Sequence, residues 1–344
     1  MQTKTKISSG IITLFLAMVS SQFCQAQDPH FSQYFASPLT VNPSFTGKGV
    51  ENMRVAANVR SQWWGSSISP YNTATLSIEQ RIAANRTGDD ELAIGALMLT
   101  DGSNNNILKN NYFGLSVAYN KGLNADGVNS LGVGLSMNYA NRVLDAGKFR
   151  FQDQFGSMGF QRSIPSNDFI AIQKNSYVDF NAGVNYSHTK KKWGYTVGVG
   201  YFHAGRPVEG VYENNRYQLD TRTTLSFNNW YEVGSNQAKL HINAFTSLQG
   251  STRLYTVGAM YQIPLHGEEA LKSVNLGLYH RVGDSFYPYV SLQAQNWLLG
   301  LSYDAVTSQV KTAFNSVRSM ELSFVIQLPH KKLSNKPNKQ IVQW

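Results

Sequence analysis

The sequence predicts an all-β protein, a single transmembrane antiparallel β-barrel of about 14 strands with long extracellular loops. Three observations carry that expectation: repeated two-residue alternation, segments long enough to cross a bilayer, and a composition poor in charge but not rich in grease. Of 344 residues, 42% are hydrophobic, 12% aromatic and only 15% charged. An ordinary soluble domain carries roughly 25% charged residues. Gly (28), Tyr (18), Phe (18) and small polar residues stand in their place. Global disorder is excluded, because disordered chains combine few aromatics with high net charge. A helical membrane protein is excluded too. After residue 30 no run approaches the ~20 apolar positions that a spanning helix needs.

The chain opens with a signal peptide over 1–26. Lys4 and Lys6 supply the positive segment, Ile11 to Val19 the apolar stretch, and Cys24-Gln25-Ala26 a small-x-small cleavage site, leaving Gln27 as the first mature residue. Acylation at Cys24 is the weaker reading, because Phe23 is bulky beside that cut. Cleavage removes the only cysteine, and with it any disulfide or thiolate chemistry. Loss of Lys4 and Lys6 from the 30 basic residues leaves 28 against 21 acidic, a net +7.

Residues 27–50 form a distinct N-terminal segment. Pro29, Pro38 and Pro43, with no sustained alternation, keep it out of the sheet. Phe31, Tyr34, Phe35, Leu39, Val41 and Phe45 are too apolar for a free tail, so the segment either packs as a plug or docks a partner.

The barrel spans 51–328. Leu131, Val133, Leu135, Met137 and Tyr139 alternate with Gly132, Gly134, Ser136, Asn138 and Ala140; Met320, Leu322, Phe324, Ile326 and Leu328 alternate with Glu321, Ser323, Val325 and Gln327. A period of two gives one apolar and one polar or small face. Strands are expected near 53–60, 71–82, 91–100, 111–120, 129–141, 177–188, 193–203, 217–227, 238–247, 253–262, 273–281, 286–294, 296–304 and 318–328. A soluble β-sandwich also alternates. Strands of ~9–11 residues suit a tilted bilayer crossing instead. Aromatics at strand ends (Tyr112, Tyr119, Trp193, Tyr201, Trp297, Tyr303) suit interfacial girdles. Faces of Gly, Ser, Asn and Thr suit an enclosed lumen. With both termini periplasmic, the outward connections include 142–176, 204–216 and 305–317, and the inward ones 189–192 and 295. Long outer and short inner loops are the barrel pattern.

Catalytic chemistry is thin. The seven histidines (30, 188, 203, 241, 266, 280 and 330) lack metal-ligand spacing, so no metal site is expected. His241 beside Asn243 suggests a hydrolase triad only if a serine joins it, and no motif places one. Gly198-Val199-Gly200 lies inside a strand, not at a helix start, so it is no dinucleotide loop. Asp89-Asp90-Glu91 and Lys190-Lys191-Lys192 read as solvated turns, the lysines also able to meet anionic lipid or a periplasmic partner. No catalytic, metal or cofactor residue is assigned, and nucleic acid is not an expected partner. The basic tail, 329–344, follows the last strand.

The mature start, Gln27-Asp28-Pro29-His30-Phe31-Ser32-Gln33-Tyr34, continues through Ser37-Pro38-Leu39 to Asn42-Pro43-Ser44-Phe45-Thr46-Gly47. It resembles the opening signature of the PorP/SprF family, outer-membrane components of the Bacteroidota type IX secretion and gliding machinery. The resemblance extends through Arg60-Ser61-Gln62-Trp63, Tyr201-Phe202-His203, Arg206-Pro207 and Pro288-Tyr289-Val290 to Gly300-Leu301-Ser302-Tyr303-Asp304 and Ser308. The tail beyond the last strand departs from the family pattern. The resemblance implies a non-catalytic outer-membrane component, without cofactor, that serves protein secretion at the cell surface. Its implied partners are the periplasmic ring and peptidoglycan-binding parts of the machine, and secreted cargo such as an adhesin C-terminal domain. A passive outer-membrane channel is one alternative, and a secreted soluble β-sandwich binding protein the other.

Partner contact is expected at Phe31, Tyr34, Pro38, Asn42, Pro43, Phe45 and Trp63, with docking preferred over plugging because family-like residues are densest there. The long loop adds Phe151, Phe155, Phe160 and Arg162, an aromatic and Arg mixture typical of interface cores, unless it folds back to plug the barrel. Arg60, His203, Arg206, Tyr303 and Asp304 are expected to be structural residues of the family motifs.

Overall fold

The computed structural model describes residues 28–64, 69–84, 90–103, 105–124, 128–167, 173–209, 217–265, 271–308 and 317–328. The signal peptide, Gln27, Asp89, Phe169, Ile170, Ile172, His266 and the 329–344 tail lie outside the described residues.

Outward side chains are Val, Leu, Phe and Tyr, while inward ones are Gly, Ser, Asn and Thr, so the sheet has an apolar exterior and must close on itself. The strands are β1 Met53–Trp64, β2 Tyr71–Ala84, β3 Glu91–Ser103, β4 Leu108–Gly122, β5 Asn129–Leu144, β6 Phe155–Gly156, β7 Gly159–Phe160, β8 Gln173–Thr189, β9 Trp193–Phe202, β10 Arg222–Val233, β11 Ala238–Gln249, β12 Thr252–Pro264, β13 Leu271–Arg281, β14 Ser285–Ala294, β15 Trp297–Val306 and β16 Arg318–Leu328. Fourteen of them make one closed antiparallel barrel in chain order, and β6–β7 is a separate small hairpin in the loop between β5 and β8. Closure joins β1 to β16 with Val55 opposite Ile326 and Arg60 opposite Glu321. The barrel replaces the soluble two-sheet alternative.

The expected strands recur, most of them with one or both ends extended. One is displaced: the strand placed at 217–227 runs from Arg222 to Val233. Leu219 instead packs into the lumen against Ala140 and Tyr177, and Gln218 forms a bridge to Val208. Alternation therefore began before the ladder did. The longer connections, 145–172, 203–221 and 307–317, gather at one mouth, and the barrel's first and last strands begin and end at the other.

The core of the molecule is its own N-terminal segment. Three single-turn 3-10 helices, Tyr34–Ala36, Pro38–Thr40 and Pro43–Phe45, fold it into the lumen. Proline opens two of them, where its missing N–H costs nothing. Asn42 caps the third by accepting from the Ser44 amide at 2.9 Å. The aromatic half packs against Phe245, Met260, Tyr279, Tyr287 and Tyr289. Tyr34 stacks on Phe245 at 4.7 Å, and Phe35 meets Tyr289 edge-on at 5.1 Å.

The lumenal glycines follow from that packing. A Cβ on Gly134 would lie 2.5 Å from the Pro43 carbonyl and the Ser44 Cα; one on Gly198 would lie 2.6 Å from the Phe45 ring. Side chains there would fill the trough that the segment occupies. Gly134→Val and Gly198→Val should each cost about 1–3 kcal/mol through overpacking. The readout is a lower melting temperature with faster proteolysis inside 28–50. Gly205→Val, where a Cβ meets nothing within 4 Å among the described residues, should change neither.

Candidate functional site

The segment runs the length of the lumen from the loop-bearing mouth to the opposite one. Asp28 lies at the ends of β9, β10 and β11, where its amide donates to Gln249 Oε1 at 3.0 Å and its carboxylate meets Arg222 Nε at 3.1 Å. At the far mouth the Gly47 amide donates to Glu79 Oε2 at 2.8 Å, and Arg54 clamps the same carboxylate from Nε and Nη2 at 2.8 and 2.7 Å.

Between these ends sits a fully buried ion cluster. Arg60 Nη2 donates to Asp304 Oδ2 at 2.8 Å, and Arg281 Nη1 reaches the same oxygen at 3.2 Å. Glu321, opposite Arg60 in the closing ladder, accepts from the Ser32 and Gln33 amides at 2.6 and 2.9 Å and from Asn58 Nδ2 at 2.8 Å. Ser32 Oγ donates to Asp304 Oδ1 at 2.9 Å and accepts from Arg281 Nη2 at 2.6 Å. Arg60 also holds the His30 carbonyl at 2.7 Å. Gln33 reaches Ser302 Oγ and the Glu321 carbonyl, while Ser323 donates to its Oε1. Two guanidinium groups thus face two buried carboxylates and a third at the rim, Asp284, which holds Arg281 Nη1 at 2.7 Å, and segment atoms fill the gaps. Buried ions survive only when so paired and hydrogen-bonded.

His203 fastens the loop-bearing end. It follows β9 with φ of 59°, in the left-handed region, so its place is held against strain. Its amide donates to Asn181 Oδ1 at 3.0 Å; Nδ1 faces Asp179 Oδ2 at 2.9 Å and Nε2 faces Asp28 Oδ2 at 2.7 Å. Burial opposes a charge on the ring, but the Asp28 carboxylate and the hydrogen bonds to Asp179 and Asp28 outweigh it, raising the pKa to about 9. Burial likewise works against the Asp28 carboxylate. His203 and Arg222 reverse that effect and hold it well below the usual range.

The expected site residues divide clearly. Phe31, Tyr34, Pro38, Asn42, Pro43 and Phe45 are all buried in the lumen and offer no surface to a partner in this conformation. The preference for docking over plugging therefore yields, for these residues, to the plug. Asn42 Nδ2 donates to the Val184 carbonyl at 3.0 Å. Arg60, His203 and Asp304 converge on the segment. Arg206 pairs with Asp220 at 3.0 Å on the mouth surface, and Tyr303 faces outward. Trp63 also faces outward, at an irregular register step in β1. The described part of the long loop stays outside the lumen, so it is not the plug. There Phe155 meets Phe160 at 5.8 Å, with Arg150 over Phe160 at 5.1 Å. Phe151 is half-buried and Arg162 exposed.

Sequence reasoning missed Arg281, Glu321, Glu79 and Asp179. Each is a charge at an inward strand position among Gly, Ser and Asn, which is the signal that could have found them.

An apolar-walled closed barrel with a lumen filled by its own N-terminus defines an outer-membrane β-barrel protein. The chain matches the family described as type IX secretion system membrane protein PorP/SprF over residues 23–326. It belongs to that family, and its location is the outer membrane. No match is found among curated proteins. Among solved structures it is similar to the Pseudomonas putida toluene transporter TodX, at 8% identity and TM-score 0.46, covering 84% of this chain and 93% of that one. A Pseudomonas aeruginosa FadL homologue matches at 11% identity and TM-score 0.43, covering 83% and 92%. The KdgM porin matches at 8% identity and TM-score 0.38, covering 80% and 99%.

The His203 anchor has a definite pH signature. Its folded-state pKa exceeds the ordinary 6.5, so its contribution is complete below 6.5 and lost as pH rises through about 9. Asp28 acts oppositely: its contribution exists above its ordinary 3.8 and fades as pH falls below it. Protection factors at residues 28–33, corrected for base-catalysed intrinsic exchange, should therefore fall between pH 6.5 and 9, and His203→Gln should flatten that fall.

Proposed function

We propose that this protein is a non-catalytic dock of type IX secretion, in which the barrel fixes an outer loop platform in the membrane and a permanent plug keeps the pore shut. Cargo, such as an adhesin C-terminal domain, is held at the long-loop mouth. The periplasmic ring and peptidoglycan-binding components meet the short turns at the other. The observation that carries this reading is the β6–β7 hairpin, which presents Phe155 at 60% and Met158 at 89% exposure beside Arg150 and Arg162, above a lumen already filled. Exposed apolar side chains rimmed by cations mark contact surfaces. A passive channel would need the segment 28–50 to leave its ion cluster, which weighs against that alternative.

Deletion of 148–172 should abolish surface display of the cargo while leaving membrane insertion and migration on unheated gels intact. Normal display on an inserted barrel would remove the docking role from the loop.

The plug role is tested separately. Phe31→Ala with Tyr34→Ala should lower barrel stability by several kcal/mol, at about 3–5 per buried aromatic truncated, and periplasmic partners should still co-purify. A barrel of unchanged melting temperature that has lost its partners would restore docking to this segment.

A further inference from the structure

The outward face of β5, β8, β9 and β10 carries, near the short-turn mouth, an arrangement that neither the plug nor the loop platform uses. Four register positions bring Asn129, His188, Tyr195 and Asn229 into one row across the strands. His188 packs on Trp193 at 4.8 Å and on Tyr195 at 5.6 Å; Trp193 stacks on Tyr231 at 6.4 Å. Asn129 Oδ1 ties the patch together, accepting from Tyr186 OH at 2.7 Å with His188 Nδ1 at the same distance. Immediately beyond the row, the β8–β9 turn exposes Lys190, Lys191 and Lys192. Lys190 Nζ lies 5.6 Å from the Trp193 ring centre, and no salt bridge among the described residues involves any of the three.

Asn229 is the independent sign of a ligand. It stands on the lipid-facing side of β10, flanked by Tyr195 across the ladder and Tyr231 two residues on, yet it is only 6% exposed. Its Oδ1 has no hydrogen-bond partner among the described residues. A buried acceptor calls for a hydrogen-bond donor, and the exposed lysines beside this belt attract a negative charge.

Deeper along the same strands the wall is hollowed. Val117, Leu135, Ala182 and Tyr201 form one register row, in which Ala182 leaves a gap between larger neighbours. With Val184 and Val199 they line an apolar recess of about 530 Å³. The near edge of the recess, at Val133 and Val184, lies four residues from the Asn129–His188 pair, about 13 Å at the strand rise of roughly 3.3 Å. That separation matches the reach from a phospholipid headgroup into its acyl chains.

We propose that this face is a binding site for one anionic glycerophospholipid of the periplasmic leaflet. The lysines take its phosphate, Asn229 Oδ1 accepts from a headgroup hydroxyl, and an acyl chain lies over Ala182. Lysines at a membrane surface attract anionic lipid, and Trp and Tyr sit at headgroup level. The short-turn mouth is the periplasmic one by the barrel rule of loop lengths, which selects phospholipid over lipopolysaccharide.

The full-length protein in nanodiscs of mixed phosphatidylcholine and phosphatidylglycerol, released and weighed by native mass spectrometry, tests this. The wild type should retain one phosphatidylglycerol in preference to phosphatidylcholine. K190Q/K191Q/K192Q should lose that preference, by about fivefold for each lysine removed. Ala182→Phe should reduce retention of either lipid and leave melting temperature unchanged. Equal retention of the two lipids by the wild type, or a preference that survives the triple variant, would overturn the proposal. So would displacement of phosphatidylglycerol by equimolar lipid A.

Discussion

Everything in this barrel depends on pairing the buried carboxylates of Asp304 and Glu321 with the guanidinium groups of Arg60 and Arg281 inside a membrane, with Asp284 holding Arg281 at the rim. Asp304 and Glu321 cannot be solvated by lipid or by a closed lumen, and Arg60 and Arg281 alone do not complete their shells. Backbone amides of Ser32 and Gln33 and the Ser32 hydroxyl supply what is missing. The N-terminal segment is thus part of the charge balance, and β1 and β16 meet on either side of it. The wall and its filling are one structural unit, because each leaves the other with unpaired polar groups.

That dependence explains the composition. A lumen lined with large side chains would fill itself, as small barrels do. Here the wall is pared back to Gly, Ser and Asn where Pro43, Ser44 and Phe45 pass, and it regains bulk in Tyr279, Tyr287 and Tyr289 beside Phe35. The prolines serve the same end by holding the segment in short turns that cannot add to the sheet. Low charge, high Gly and abundant Tyr describe a wall shaped to an insert.

The barrel was legible in the sequence because alternation is a local property, readable from a dozen consecutive residues. Its one misplaced strand lay where Tyr217 and Leu219 alternate, but Leu219 packs inside against Ala140 and Tyr177 instead of joining the wall. The site was half legible. Arg60, His203 and Asp304 stood out as motif residues, yet their common purpose required knowing that positions 244 residues apart face each other, as Arg60 and Asp304 do. Glu321 and Arg281 carried no motif. The apolar N-terminal residues announced that they must be buried, but nothing in their order distinguished a partner's surface from the chain's own interior.

The direction of the N-terminal segment has a consequence for biogenesis. Its first described residue rests at the loop-bearing mouth, and it reaches β1 only after traversing the lumen to the opposite rim. A ring cannot easily be threaded once shut, least of all by a segment that carries Phe31, Tyr34 and Phe35 so close together. The leading stretch must therefore be laid across the nascent sheet before β16 zips onto β1, with Glu321 capturing Ser32 and Gln33 as the seam closes. Synthesis order and closure order then run the same way. The first residues of the mature chain become the mandrel around which the last strand is wrapped.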